Sequence, residues 1–64
     1  MSVGSNIRRI RTEKWIKQKD VAAYAGISEA MLSQIERGTK NPSLQVGKLI
    51  ADALGCSVEE LMEE

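Results

Sequence analysis

Sixty-four residues suffice for one small domain, residues 1–64, and a composition of 42% hydrophobic and 28% charged residues excludes disorder. With no His and a single Cys, the chain lacks the commonest general base and metal ligand and cannot form an internal disulfide. The formal charge is zero, yet residues 1–40 carry +4 and residues 41–64 carry −4, so a partner meeting only the first part faces a cationic surface.

The first helix is expected to start at a Ser5 or Asn6 cap and run to about Lys14, with Ile7 and Ile10 facing inward. A second fits Gln18 to Ala25, burying Val21, Ala22 and Ala25, and Gly26 follows where a helix commonly ends in a left-handed residue. The third has the clearest start: Ser28 is a good N-cap, with Ile27 before it and Leu32 placed to close a hydrophobic staple. It runs to about Arg37, and Gly38 stops it. Thr39 to Pro42 form a loop. Ser43 then caps a fourth helix to Leu54, with Val46, Ile50, Ala53 and Leu54 on one stripe and Gly55 at its end. Ser57 and Glu60 form a capping box for a last helix carrying Val58 and Leu61. No segment reads as a strand, so the fold class is all-α with five short helices.

Residues 18–37 form a unit whose small residues fall where two crossing helices need them. Ala22 lets the third helix cross closely over the second, and Gly26 can take the positive φ of a tight turn. Val21, Ala25, Ile27, Leu32 and Ile35 supply the apolar contacts. This is the helix-turn-helix pattern, with helices about 90–120° apart. On a helical wheel of the third helix, Leu32, Ile35 and Met31 cluster on one side. Glu29, Ala30, Ser33, Gln34 and Arg37 fill the other. That outer face is short and able to hydrogen-bond, as a helix entering a major groove must be. Gln34 suits adenine N6/N7, Glu29 suits cytosine N4, Ala30 suits a thymine methyl, and Ser33 suits base or phosphate.

The stretch QKDVAAYAGISEAMLSQIERG, followed by TKNPSLQVGKLIADALGCSVEEL, resembles the lambda-repressor/Cro-type family of helix-turn-helix regulators, from about Asn6 to Leu61. The elements that carry the likeness are Gln18 opening the second helix, Ala22, AGIS at 25–28, LSQIERG at 32–38, NPS at 41–43 and ALG at 53–55. The resemblance implies a compact five-helix DNA-binding domain whose helix 29–37 reads the major groove. It implies that Glu29, Ala30, Ser33 and Gln34 read bases, and that Gln18, Arg37, Lys40 and Asn41 hold the sugar-phosphate backbone. It also implies a structural pair between Arg11 and Glu36.

Three positions depart from that pattern. Lys17 stands where the family usually has a Ser or Thr cap, which costs about 1 kcal/mol but puts a cation within reach of a phosphate. Trp15 stands where Gly often ends the first helix, and a left-handed Trp costs about 1–2 kcal/mol. The helix is therefore expected to end in another way, with Trp15 packed over the junction of the first two helices. Gly47 inside the fourth helix costs about 1 kcal/mol relative to Ala, for which a close helix contact is the expected reason.

Together these features predict a sequence-specific transcriptional regulator, a repressor by expectation, with double-stranded DNA as partner and a homodimer as the binding form. Its dimer surface is expected at the end of the fourth helix together with the last helix, where Val58, Leu61 and Met62 are the apolar residues available. The protein is expected in the cytoplasm, since the lone Cys fits a reducing compartment and no apolar run fits a signal peptide or membrane span. No catalytic residue, cofactor, metal or small-molecule ligand is expected. Plainer roles exist for several residues. Glu29 suits the first turn of any helix, Tyr24 suits the rim, Cys56 is a small buried filler, and Glu59 with Glu63 is a solvated acidic face. Two rival functions fit the same residues. One is an antitoxin or restriction-modification controller using the same DNA site; the other is a protein-interaction module that does not bind DNA.

Overall fold

The computed structural model describes residues 2–63 as five helices: α1 (Val3–Glu13), α2 (Gln18–Ala25), α3 (Glu29–Arg37), α4 (Leu44–Leu54) and α5 (Val58–Met62). Among the described residues there is no strand. Serine starts four of the five helices. The hydroxyls of Ser28, Ser43 and Ser57 accept N–H groups three residues on, and Ser57 with Glu60 forms the expected capping box. The first helix starts earlier than the sequence indicated. Its N-cap is Ser2, whose Oγ accepts the Ser5 N–H at 3.1 Å while the Ser5 Oγ accepts the Ser2 N–H at 3.1 Å. Ser5 at the third helical position stands in for the usual Glu or Gln of a capping box, which is why the start was not legible.

Four helices end alike. In each, one residue turns left-handed, and the following N–H bonds back across the last turn, as in Ile16 to Arg11, Ile27 to Ala22, Thr39 to Gln34 and Cys56 to Ala51. Three of the four left-handed positions hold glycine: Gly26, Gly38 and Gly55. The fourth holds Trp15, at φ 60°. The helix therefore ends where glycine would have ended it, and the expected alternative ending does not occur. Nor does Trp15 pack over the junction; it is 92% exposed. The Ile16 N–H to Arg11 carbonyl bond and the burial of the neighbouring chain hold the turn without help from the ring.

The core gathers Ile7 and Ile10 of α1, Val21, Ala22 and Ala25 of α2, Leu32 and Ile35 of α3, Ile50, Ala51 and Leu54 of α4, and Leu61 of α5. The buried stripe of α4 is Gly47, Ile50, Ala51 and Leu54. Val46 and Ala53, expected on it, sit half-buried at its margin. The helix-turn-helix α2–α3 is braced from two sides: α4 packs on α2, and α1 packs on α3. The α1–α3 contact is a backbone contact, because Gly4 lies against the carbonyls of Ile35 and Glu36. Asn6, fully buried, donates its side-chain amide to the carbonyls of Leu61 and Glu63 and so ties the end of α5 to α1. Lys14 donates Nζ to the Leu54 carbonyl at 2.7 Å, placing a cation at the carbonyl end of α4.

Gly47 has no close helix neighbour; nothing lies within 4 Å of where its Cβ would be. It lines instead an apolar groove with Val3, Pro42, Leu44, Val58 and Met62. Leu61, expected on an exposed surface, is 1% exposed and belongs to the core. Val58, Leu61 and Met62 lie on one side of α5, and that side packs on the core: Leu61 points into it, Val58 is half-buried and Met62 stays exposed at the edge. Cys56 is half-buried, and its thiol is pushed up by burial, then by Glu60, with Lys14 opposing. Burial and Glu60 outweigh Lys14, so the balance is against the thiolate form that a reactive cysteine needs.

Candidate nucleic-acid interface

The outer face of α3 is set by its own capping and by the core. Ser28 and Gly38 fix its ends, and Leu32 and Ile35, at 0% and 1% exposure, fix its rotation. Glu29, Ala30, Gln34 and Arg37 are thereby left exposed. Ser33 is half-buried, and its Oγ accepts from Arg37 Nη1 at 3.1 Å. The expected base-reading residues thus share one face, but in the free protein the Ser33 hydroxyl already serves Arg37.

A polar cleft opens beside this face, where α1, the start of α2 and α3 meet. Arg8, Arg11, Gln18, Ser33, Glu36 and Arg37 line it. Its floor is a fork-to-fork ion pair: Arg11 Nε donates to Glu36 Oε2 at 2.8 Å, and Nη2 donates to Oε1 at 3.1 Å. The third arm of Arg11 donates to the Ile16 carbonyl at 3.0 Å. The Glu36 side chain is 4% exposed and that of Arg11 15%, so the pair is structural and nearly dry. Gln18 Nε2 donates to the same Glu36 Oε1 at 3.3 Å. This bond aims the Gln18 side chain at the cleft and leaves its other N–H for a further acceptor.

The N-terminal end of α2 differs from the other four. Lys17 is its N-cap, and no side chain caps it. An uncapped helix start next to exposed Lys17 and the Gln18 amide favours an anion. Lys40 and Asn41 are exposed in the loop after α3.

The structure sorts the basic residues that composition had lumped together. Arg9 pairs with Glu13 at 3.5 Å, Arg11 with Glu36, and Lys14 with the end of α4. Arg8, Lys17, Lys19, Arg37 and Lys40 make no ion pair among the described residues, so the cationic surface is smaller and more focused than the count implied. Arg8 lines the cleft, although the sequence assigned no separate role to it. Its spacing of three from Arg11 was the available signal, since residues three apart share a helix face.

The family model for helix-turn-helix proteins matches residues 7–61. The chain belongs to that family. It is 45% identical over 60 residues to an uncharacterised HTH-type transcriptional regulator, y4dJ, of Sinorhizobium fredii, covering 94% of this chain and 78% of the relative. It is 39% identical over 64 residues to the immunity repressor protein of Bacillus phage phi105, covering all of this chain and 44% of the repressor. The crystal structure of the P22 c2 repressor with a synthetic operator superposes with a TM-score of 0.89 at 28% identity, covering 98% of this chain and 96% of that one. The chain thus spans less than half the phage phi105 relative but most of the other two. The five-helix arrangement is that of the lambda-repressor-like domains, and the chain is a DNA-binding domain of the transcriptional-regulator type.

Proposed function

We propose that this helix-turn-helix protein acts as a transcriptional repressor in the cytoplasm, binding duplex DNA as a homodimer. The observation that carries the reading is the exposed polar face of α3 lying directly beside a cationic cleft at an uncapped helix start. The width of a major groove admits one helix. With α3 in it, Gln34 reads adenine N6/N7, Glu29 accepts from cytosine N4, and Ala30 rests on a thymine methyl. Ser33 reaches the bases while positioned by Arg37. Lys17, Gln18, Arg37, Lys40 and Asn41 hold the flanking phosphates and set the register.

A single nine-residue α3 touches few base pairs, so useful specificity requires two copies on half-sites about 10 bp apart. The second copy docks on the apolar groove over Gly47. Leu44 and Met62, 65% and 54% exposed, are its outermost residues, and Val58 lies between them and the core. A two-fold interface must be self-complementary, and a groove with exposed apolar side chains beside it meets that requirement. Leu44→Asp is therefore expected to give a folded monomer, because an acid suits the first turn of α4. Sedimentation of the variant and its parent, with circular dichroism to verify folding, checks this.

Selection of duplexes from a random pool at two salt concentrations tests the DNA reading. An enriched inverted repeat bound more weakly at the higher salt is the expected result; no enrichment would bring the interaction-module reading forward. On the selected duplex, Gln34→Ala is expected to relax preference at one position per half-site by about 1–3 kcal/mol. Lys40→Ala is expected to weaken all sequences alike and to lower the salt slope by about one. Equal effects of the two variants on every sequence would refute this division of roles.

A further inference from the structure

The fold itself gives Trp15 no reason to be where it is. Three equivalent helix ends use glycine, whereas Trp15 holds the left-handed conformation at φ 60° with its side chain almost wholly in solvent. It buries no surface that would offset the conformation. Its surroundings are specific, however. Trp15 lines a shallow hollow with Arg11, Thr12, Ile16 and Lys17. That hollow adjoins the polar cleft of the DNA-binding face, and Arg11 forms a wall of both. The nearby acid, Glu13, is paired with Arg9, and Lys14 Nζ is held by the Leu54 carbonyl, so among the described residues Lys17 is the cation beside the ring that has neither partner.

We infer that Trp15 is a DNA contact at the outer edge of the footprint, lying on the sugar-phosphate backbone that flanks the half-site. The inference rests on the DNA-binding reading above and extends its surface from the cleft across Arg11 to the α1–α2 turn. Continuity with the cleft and the positive charge of Lys17 select an anionic, extended partner, and the backbone of the same duplex is the one already in reach. The indole supplies a flat apolar face for a deoxyribose and one N–H donor for a phosphate oxygen. The left-handed turn aims the ring outward, so the conformation that weakens the fold serves binding.

Trp15 is the single tryptophan, so its emission reports on this site alone. The protein is titrated with the selected duplex in two lengths, one ending at the half-site edges and one extended by about half a helical turn on each side. Extended duplex is expected to quench or blue-shift the emission, and trimmed duplex to change it little. Trp15→Gly and Trp15→Asn, both suited to the left-handed turn, are expected to bind extended duplex about fivefold more weakly and trimmed duplex like the parent. Both are also expected to melt several degrees higher, about 4–8 °C for Gly. Unchanged affinity of both variants for both duplexes, while Lys40→Ala still weakens binding, would overturn the inference and leave the DNA reading standing. An emission change on concentrating the protein without DNA would make the ring a protein contact instead and overturn it too. Failure of the parent protein to bind any duplex would remove both.

Discussion

Arg11→Met is expected to destabilise the domain by about 3–5 kcal/mol, the range for breaking a buried ion pair from one side. The Glu36 carboxylate, 4% exposed, would keep only the 3.3 Å bond from Gln18 in place of two charge-assisted bonds from the guanidinium. The Ile16 carbonyl would lose its Arg11 donor as well, loosening the turn that leads into α2. A domain of this length has a total stability of about 3–10 kcal/mol, so the variant should be partly unfolded at room temperature. The pair itself contributes far less than this, because both charges are desolvated to form it. The double variant Arg11→Met, Glu36→Leu is therefore expected to be markedly more stable than Arg11→Met alone. Urea titrations of the parent, both single variants and the double variant measure the coupling. If the two single losses simply add in the double variant, the buried-pair account fails. The same series carries a functional consequence: Gln18 loses its anchor when Glu36 is replaced, so DNA affinity should fall even in the stable double variant.

Gly4→Ala, in the first turn of α1, is expected to cost about 2–3 kcal/mol through overpacking, even though alanine is the better helix former. A Cβ on Gly4 would collide with the backbone carbonyl of Ile35 and crowd that of Glu36. Neither is a flexible side-chain end, so relief requires α1 to move off α3 or its first turn to unwind. Unwinding forfeits the Ser2–Ser5 cap and the packing of Val3 on the core. The melting midpoint should drop by about 10 °C or more at this size. Gly47→Ala is the natural control. It makes the same chemical change within a helix, but with no atom within 4 Å, so it should not destabilise the monomer. Similar melting points for the two variants would show that the α1–α3 contact is looser than the structure has it.

Much of this fold was legible because its signals are local. Ser28, Ser43 and Ser57 each bond to an N–H three residues away, and Gly26, Gly38 and Gly55 close the turns that follow. A residue's own neighbours in the chain decide such features, so α2 to α5 could be bounded before any tertiary contact was known. The exposed face of α3 follows from the same logic, since Leu32 and Ile35 at helical spacing fix which side is left over. The ends of α1 were harder. Ser2 and Ser5 form an uncommon version of the capping box, and Trp15 occupies a conformation that its intrinsic cost argues against.

What the sequence determined by itself, then, is the set of five helices, the helix-turn-helix spacing and the polar character of the outer face of α3. Only the tertiary structure decided which glycine is indispensable to packing. Gly4 touches α3 across more than thirty residues, whereas Gly47 faces an open groove, and nothing within a few residues of either distinguishes them. It likewise assigned Lys14 to the end of α4, Asn6 to the end of α5 and Leu61 to the core. It left Arg8 and Trp15 facing out. The physical reason is range. Caps and turns are bonds between near neighbours, while burial and charge pairing depend on which distant segments the packing brings within a few ångströms of each other.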